Sequence, residues 1–229
     1  MKYSQKNAPP QVFLDWLALK NANWSPTYKN LRKPELPAVR DALLQEQEYI
    51  CCYCGRQLNG DHSDSHVDHF RPQKHYNGKG LLPDLTLSYD NFVASCGSPK
   101  SKELPNTCGQ AKGSRFKEVA HIAPWDPGCE ARFSYGSSGI VLPVQGEDEA
   151  AIEMIDTLRL DDASLVADRS VVLMAIEADI QAGLIHSNNV GTEIARLRTA
   201  LNGKRSSFSH VAARYLEDEV KSVDEVATD

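Results

Sequence analysis

The segment Cys51-Cys52-Tyr53-Cys54-Gly55 and the run "SHVDHFRP" that follows it, Ser65 to Pro72, bring thiols, imidazoles and a carboxylate into a short span. Cys51 and Cys54 have the two-residue gap that lets both sulfurs of a tight turn face one tetrahedral ion. Gly55 lets the backbone bend back beneath them. A second pair of ligands must come from Cys96, Cys108 and Cys129. Cys96 and Cys108 are each followed by glycine, as Cys54 is, whereas Cys129 is followed by Glu130. The expected structural zinc (Zn2+) site is therefore Cys51, Cys54, Cys96 and Cys108. The insertion between Cys96 and Cys108 is tolerable because loop-closure cost grows slowly with length. The alternative is that Cys96 and Cys108 are small buried residues, the reading favoured for Cys52 and Cys129.

Strand alternation through Ser65–Pro72 puts His66, Asp68 and Phe70 on one face and Val67, His69 and Arg71 on the other. In metal-dependent phosphodiester cleavage a divalent ion polarises the phosphate while a neutral imidazole takes a proton from water. Asp68 offers an oxygen to such an ion and His69 a nitrogen to the water. Arg71 and Lys74 are expected to hold flanking phosphates, and Lys112, in the same basic segment, joins them. His66 is open to two readings, a further ligand or a surface residue.

The elements that must position these groups are legible in outline. Val12, Phe13, Trp16 and Leu17 share a helical face, and so do Val39, Leu43, Leu44 and Gln47, behind Pro34 and Pro37. Periodicity fades from Cys51 to about Gly113, where something other than a core must hold the chain. "ARFSYGSSGIVLPV" alternates around Gly136–Gly139, a hairpin. Four helical patterns follow: Ile152, Ile155 and Leu158; Val172, Ile176 and Ile180; Val190, Ile194, Leu197 and Leu201; and Phe208, Val211, Ala212 and Tyr215. The organisation expected is α+β: an N-terminal helical segment over 1–50, a zinc-stabilised module over 51–117, and a hairpin with a helical body over 118–229.

The six cysteines are too unevenly spaced for a secreted disulfide framework, and no apolar run approaches membrane-spanning length. A soluble, cytoplasmic chain with no membrane association is expected. The formal charge of −6 hides an asymmetry: Arg71 to Lys117 carries eight Lys or Arg against three acids. Such a segment supplies phosphate affinity without base readout.

The order of a cysteine knuckle, then "HVDHFRP", "YDNFVASC" and "CGQAKG", resembles the HNH endonuclease superfamily, most closely the PtuB nuclease subunits of Septu and retron-associated antiphage defence systems. "LLQEQEYICCYCGRQL", "DPGCEARFSYGSSGIV" and "AIEMIDTLRLDDASLVADRSVVL" extend the likeness over most of the chain. The resemblance implies a ββα-metal finger embedded in a mostly helical body, and hydrolysis of DNA with Mg2+ or Mn2+. It makes His69 the general base, Asp68 the ligand of the catalytic ion and Asn91 the middle Asn that fixes the loop. It also implies a PtuA-like SMC/ABC-type ATPase as partner, gating cleavage. One departure stands out. The third signature position holds Gly109, which has no side-chain ligand. Either Gln110 shifts into place, or the ion relies on Asp68, phosphate and water. A binding module of this architecture that lacks catalysis is the competing reading.

Overall fold

Two short helices open the chain. Helix α1 (Gln11–Ala18) buries Phe13 and Trp16, and α2 (Glu35–Glu46) buries Val39, Leu43 and Leu44. The computed structural model describes residues 1–76, 85–97 and 106–226. Gln47, just past α2, is the polar end of its buried face. Its side-chain amide accepts from the Ala94 N–H at 2.7 Å and donates to the Ala94 carbonyl at 2.8 Å. That exchange copies a strand pairing and docks α2 on the centre of the molecule.

The region without helical periodicity is built around two strands. Strand β1 (Ser65–His69) pairs antiparallel with β2 (Phe92–Cys96), with Ser65 opposite Cys96, Asp68 opposite Val93 and His69 opposite Phe92. Short helix α3 (Gln73–Tyr76) follows β1, and α4 (Cys108–Lys112) packs against β2. Along the chain the order is β1, α3, β2, α4, with Cys96 ending β2 and Cys108 opening α4.

The expected hairpin is formed by β3 (Phe133–Tyr135) and β4 (Val141–Pro143). Its turn presses on α6 (Ala163–Gln181), because a Cβ on Gly139, at φ +86°, would run into the Val166 carbonyl. Helices α5 (Glu149–Leu158), α7 (Val190–Arg198) and α8 (Ser209–Val226) complete the body. One contiguous set of buried side chains runs from Met1 to Leu216. The mixed α+β class is what the sequence implied; its sheets have two strands each.

Three helical patterns differ from the faces observed, the simplest being that of α7, which ends at Arg198 and leaves Leu201 beyond it 79% exposed. Helix α6 buries Leu165, Arg169, Leu173 and Ile176, leaving Ile180 38% exposed. The reason is Arg169, a core residue that no hydrophobic period can select: its guanidinium donates to the Gly139 carbonyl at 2.6 Å and the Leu160 carbonyl at 2.8 Å. Helix α5 likewise turns Met154, Thr157 and Leu158 inward and Ile152 outward. Among the described residues no helix is long and apolar enough to cross a membrane.

Candidate metal centre

Four Sγ atoms, those of Cys51, Cys54, Cys96 and Cys108, lie within 4.8 Å of one another and are all buried. The knuckle is closed by Gly55 N–H to the Cys51 carbonyl, 2.8 Å, and by Cys51 N–H to the Arg56 carbonyl, 2.8 Å. Arg56 N–H points at the Cys54 sulfur, 3.4 Å. Gly55 sits at φ +84°, and a Cβ there would overlap the ring of His210 on α8. The glycine therefore serves both the turn and the packing beneath it.

The donor set fits zinc. Bonds of about 2.3 Å to a tetrahedral ion put sulfurs roughly 3.8 Å apart, and Cys54 and Cys96 are separated by 3.7 Å. Cys108 enters α4 at φ +56°, a left-handed conformation for a non-glycine residue. Such strain persists where the surroundings impose it. Burial opposes ionisation of Cys51, yet hydrogen bonds from Cys108, Cys54 and Cys96 draw its thiol well below the ordinary cysteine range; Cys108 is pushed well above it by burial. A divalent cation would resolve that conflict by holding all four as thiolates. Cys52 and Cys129 are buried outside the cluster.

Asp68 lies on the α4 side of β1. Its Oδ2 accepts from the Tyr53 hydroxyl at 2.7 Å and sits 3.2 Å from the Lys112 ammonium. Tyr53 is the middle of the cysteine knuckle, so the four-thiol cluster and the carboxylate are linked by one hydrogen bond. Burial, then the Asp68 charge, push the Tyr53 phenol well above its usual range, which keeps it a donor. Nothing in the sequence marked Tyr53 for this role. Lys112 was expected to face phosphate. The structure corrects this: Lys112 is 1% exposed, and its ammonium also donates to the carbonyls of His69, 2.7 Å, and Phe70, 3.3 Å. A cation so enclosed supports the carboxylate from beneath.

His69 faces the other way, as alternation dictates. Its ring packs edge-on against Tyr28, 4.4 Å between centroids, and Phe92, 4.9 Å. Nε2 lies 3.0 Å from the Thr86 carbonyl and so carries the proton, and Nδ1 is 3.3 Å from the Gln73 amide nitrogen. The structure thus sets Asp68 and His69 on opposite faces of β1. Asn91 is a clasp: its Oδ1 accepts from Arg71 N–H at 2.8 Å, and its Nδ2 donates to the carbonyls of Arg71, 2.9 Å, and Leu85, 3.1 Å.

Gln110 packs over Gly97 rather than beside Asp68: a Cβ on Gly97 would meet the Gln110 amide carbon at 2.7 Å. Much of the basic segment is paired with acids, one in the turn that follows it and two on α5. Arg71 pairs with Glu118 at 2.6 Å, Arg115 with Asp156 at 3.1 Å and Lys117 with Glu153 at 2.5 Å. Lys74 is exposed. Lys79, Lys100 and Lys102 lie outside the described residues.

Neither a scan against protein-family models nor a search of curated proteins returns a match for this chain.

Proposed function

We propose that this chain is a metal-dependent HNH-type endonuclease that hydrolyses DNA phosphodiester bonds, acting as the nuclease effector of an antiphage defence complex with an SMC/ABC-type ATPase. The observation that carries the reading is the strand–strand–helix unit in which a four-cysteine site is wired through Tyr53 to the Asp68 carboxylate. Zinc holds the unit rigid, and Asp68 offers a hard oxygen to a second, exchangeable ion. His69, at the end of β1, is the base; with Nε2–H held on the Thr86 carbonyl, the lone pair is on Nδ1, which takes a proton from water once the Gln73 amide moves aside.

One observation favours a second reading, a zinc-stabilised binding module without hydrolysis. Both ring nitrogens of His69 have partners, and the residue is 6% exposed. Supercoiled plasmid incubated with Mg2+ or Mn2+, with and without the ATPase, separates the two. The nuclease reading expects nicking or linearisation by the wild type that Asp68→Asn and His69→Ala both abolish. Intact plasmid under every condition leaves the binding module.

A further inference from the structure

Gly109 stands where the HNH signature calls for a ligand, and its surroundings show what has taken that place. A Cβ added to Gly109 would lie 2.9 Å from Asp68 Cγ and 3.0 Å from His66 Nε2. The two groups therefore converge on one point above the first turn of α4, no more than about 6 Å apart. They come from positions i and i+2 of β1, one strand face. A side chain at 109 would close the gap between them.

The chemistry of the imidazole is set by its other nitrogen. His66 Nδ1 is 2.7 Å from the Gly97 carbonyl, which can only accept, so Nδ1 carries the hydrogen. Nε2 then holds the lone pair. A ring-nitrogen N–H on a backbone carbonyl is the arrangement that orients a metal-ligating histidine and fixes its tautomer. On the carboxylate, Oδ2 is taken by Tyr53 and Lys112, which leaves Oδ1 for a cation. Ser95 holds the helix end of the gap in place: its Oγ accepts from Gly109 N–H at 3.0 Å.

We propose that His66 and Asp68 together bind a divalent cation in the gap that Gly109 leaves open, His66 Nε2 from the strand replacing a ligand from the helix. The inference deepens the nuclease reading, since this cation is the exchangeable one of that reaction. An imidazole nitrogen favours a first-row transition ion over Mg2+, which takes oxygen ligands and keeps its waters. The Lys112 ammonium works against any cation here, so binding tightens when a phosphate adds negative charge.

The test is Mn2+ binding to the zinc-loaded full chain, followed by electron paramagnetic resonance. One Mn2+ per chain is expected beyond the zinc, with nitrogen coupling from a single imidazole. His66→Gln removes the coupling and weakens binding at least about tenfold; Asp68→Asn weakens it comparably; Gly109→Ala weakens it with both ligands intact. His69→Gln leaves the coupling in place. Coupling that survives His66→Gln, or vanishes in His69→Gln, overturns the proposal. If His66→Gln does not fold, the wild-type spectrum decides, because no bound Mn2+ or no nitrogen coupling is equally fatal. Nitrogen-coupled Mn2+ without plasmid cleavage sinks only the nuclease reading; cleavage without nitrogen coupling sinks only the His66 ligand.

Discussion

The ammonium of Lys112 lies 3.2 Å from the Asp68 carboxylate with its side chain wholly shielded from solvent. Lys112→Met keeps the volume and deletes the charge, stranding a buried carboxylate and removing a donor from the carbonyls of His69 and Phe70. Breaking one side of a buried pair costs about 3–5 kcal/mol. The urea midpoint of Lys112→Met is expected to fall accordingly, and Lys112→Met combined with Asp68→Asn to lose less than the two single changes summed. Additive losses would show that the pair is not coupled.

Zinc is expected at one ion per chain in purified protein. Each of Cys51→Ser, Cys54→Ser, Cys96→Ser and Cys108→Ser should lose it, because the four sulfurs form one site, while Cys52→Ser and Cys129→Ser retain it. A structural zinc contributes folding free energy directly. A strong chelator should therefore unfold the segment that the thiols staple together, read as rapid amide exchange in β1 and β2. Zinc retained after Cys108→Ser would rule out this ligand set.

Acid sensitivity follows from Glu130. Burial opposes its ionisation, but the neighbouring His210 imidazole, then the Arg198 hydrogen bond at 2.8 Å, the Lys2 ammonium and the Tyr3 N–H at 2.7 Å, outweigh it and hold the carboxyl at about 2, against an ordinary value of 4.5. A carboxyl with a depressed native pKa stabilises the fold fully above its unfolded value and loses that contribution as pH falls toward the native one. Here the window runs from 4.5 down to about 2. The stabilisation is up to about 3 kcal/mol at neutral pH. Urea unfolding of Glu130→Gln should show a deficit at pH 6 that shrinks steadily toward pH 2.5. A deficit independent of pH would mean that the charge is not the cause.

The thiol set is legible in the sequence because each ligand carries a local mark: a two-residue gap, or a glycine directly after the cysteine. The hairpin is marked in the same way, by alternation on either side of a glycine-bounded turn. What was hidden depends on a neighbour from elsewhere in the chain. Gly109 reads as a missing ligand until His66 and Asp68 are seen to converge on the position its Cβ would take. Lys112 reads as a surface cation because burial of an ammonium is set by its partners, here three oxygens on one strand end. Arg169 rotates the buried face of α6 for the same reason. The alternation of β1 already sets Asp68 and His69 on opposite faces; what it does not show is the partner packed on each face, Tyr53 and Lys112 against Asp68, Tyr28 and Phe92 against His69.

Asn91 offers the most local test of how the end of β1 is held. Its side-chain amide pairs with both backbone groups of Arg71 and also reaches Leu85, continuing the β1–β2 ladder by one side chain where the backbone pairing stops. Phe70 N–H adds the bond to the Asn91 carbonyl, 2.9 Å. Asn91→Ala removes three side-chain hydrogen bonds at a residue 4% exposed, at about 1 kcal/mol each. The expected loss is about 2–3 kcal/mol, with the Arg71 amide exchanging faster and the Val67 amide, inside the ladder, unchanged. Asn91→Asp should be worse than Asn91→Ala, because two carboxylate oxygens cannot donate to the carbonyls of Arg71 and Leu85, and a charge is added in a buried place. If the aspartate variant proves the milder of the two, the clasp is not held by its donors, and His69 must owe its position to the aromatic contacts with Tyr28 and Phe92 instead.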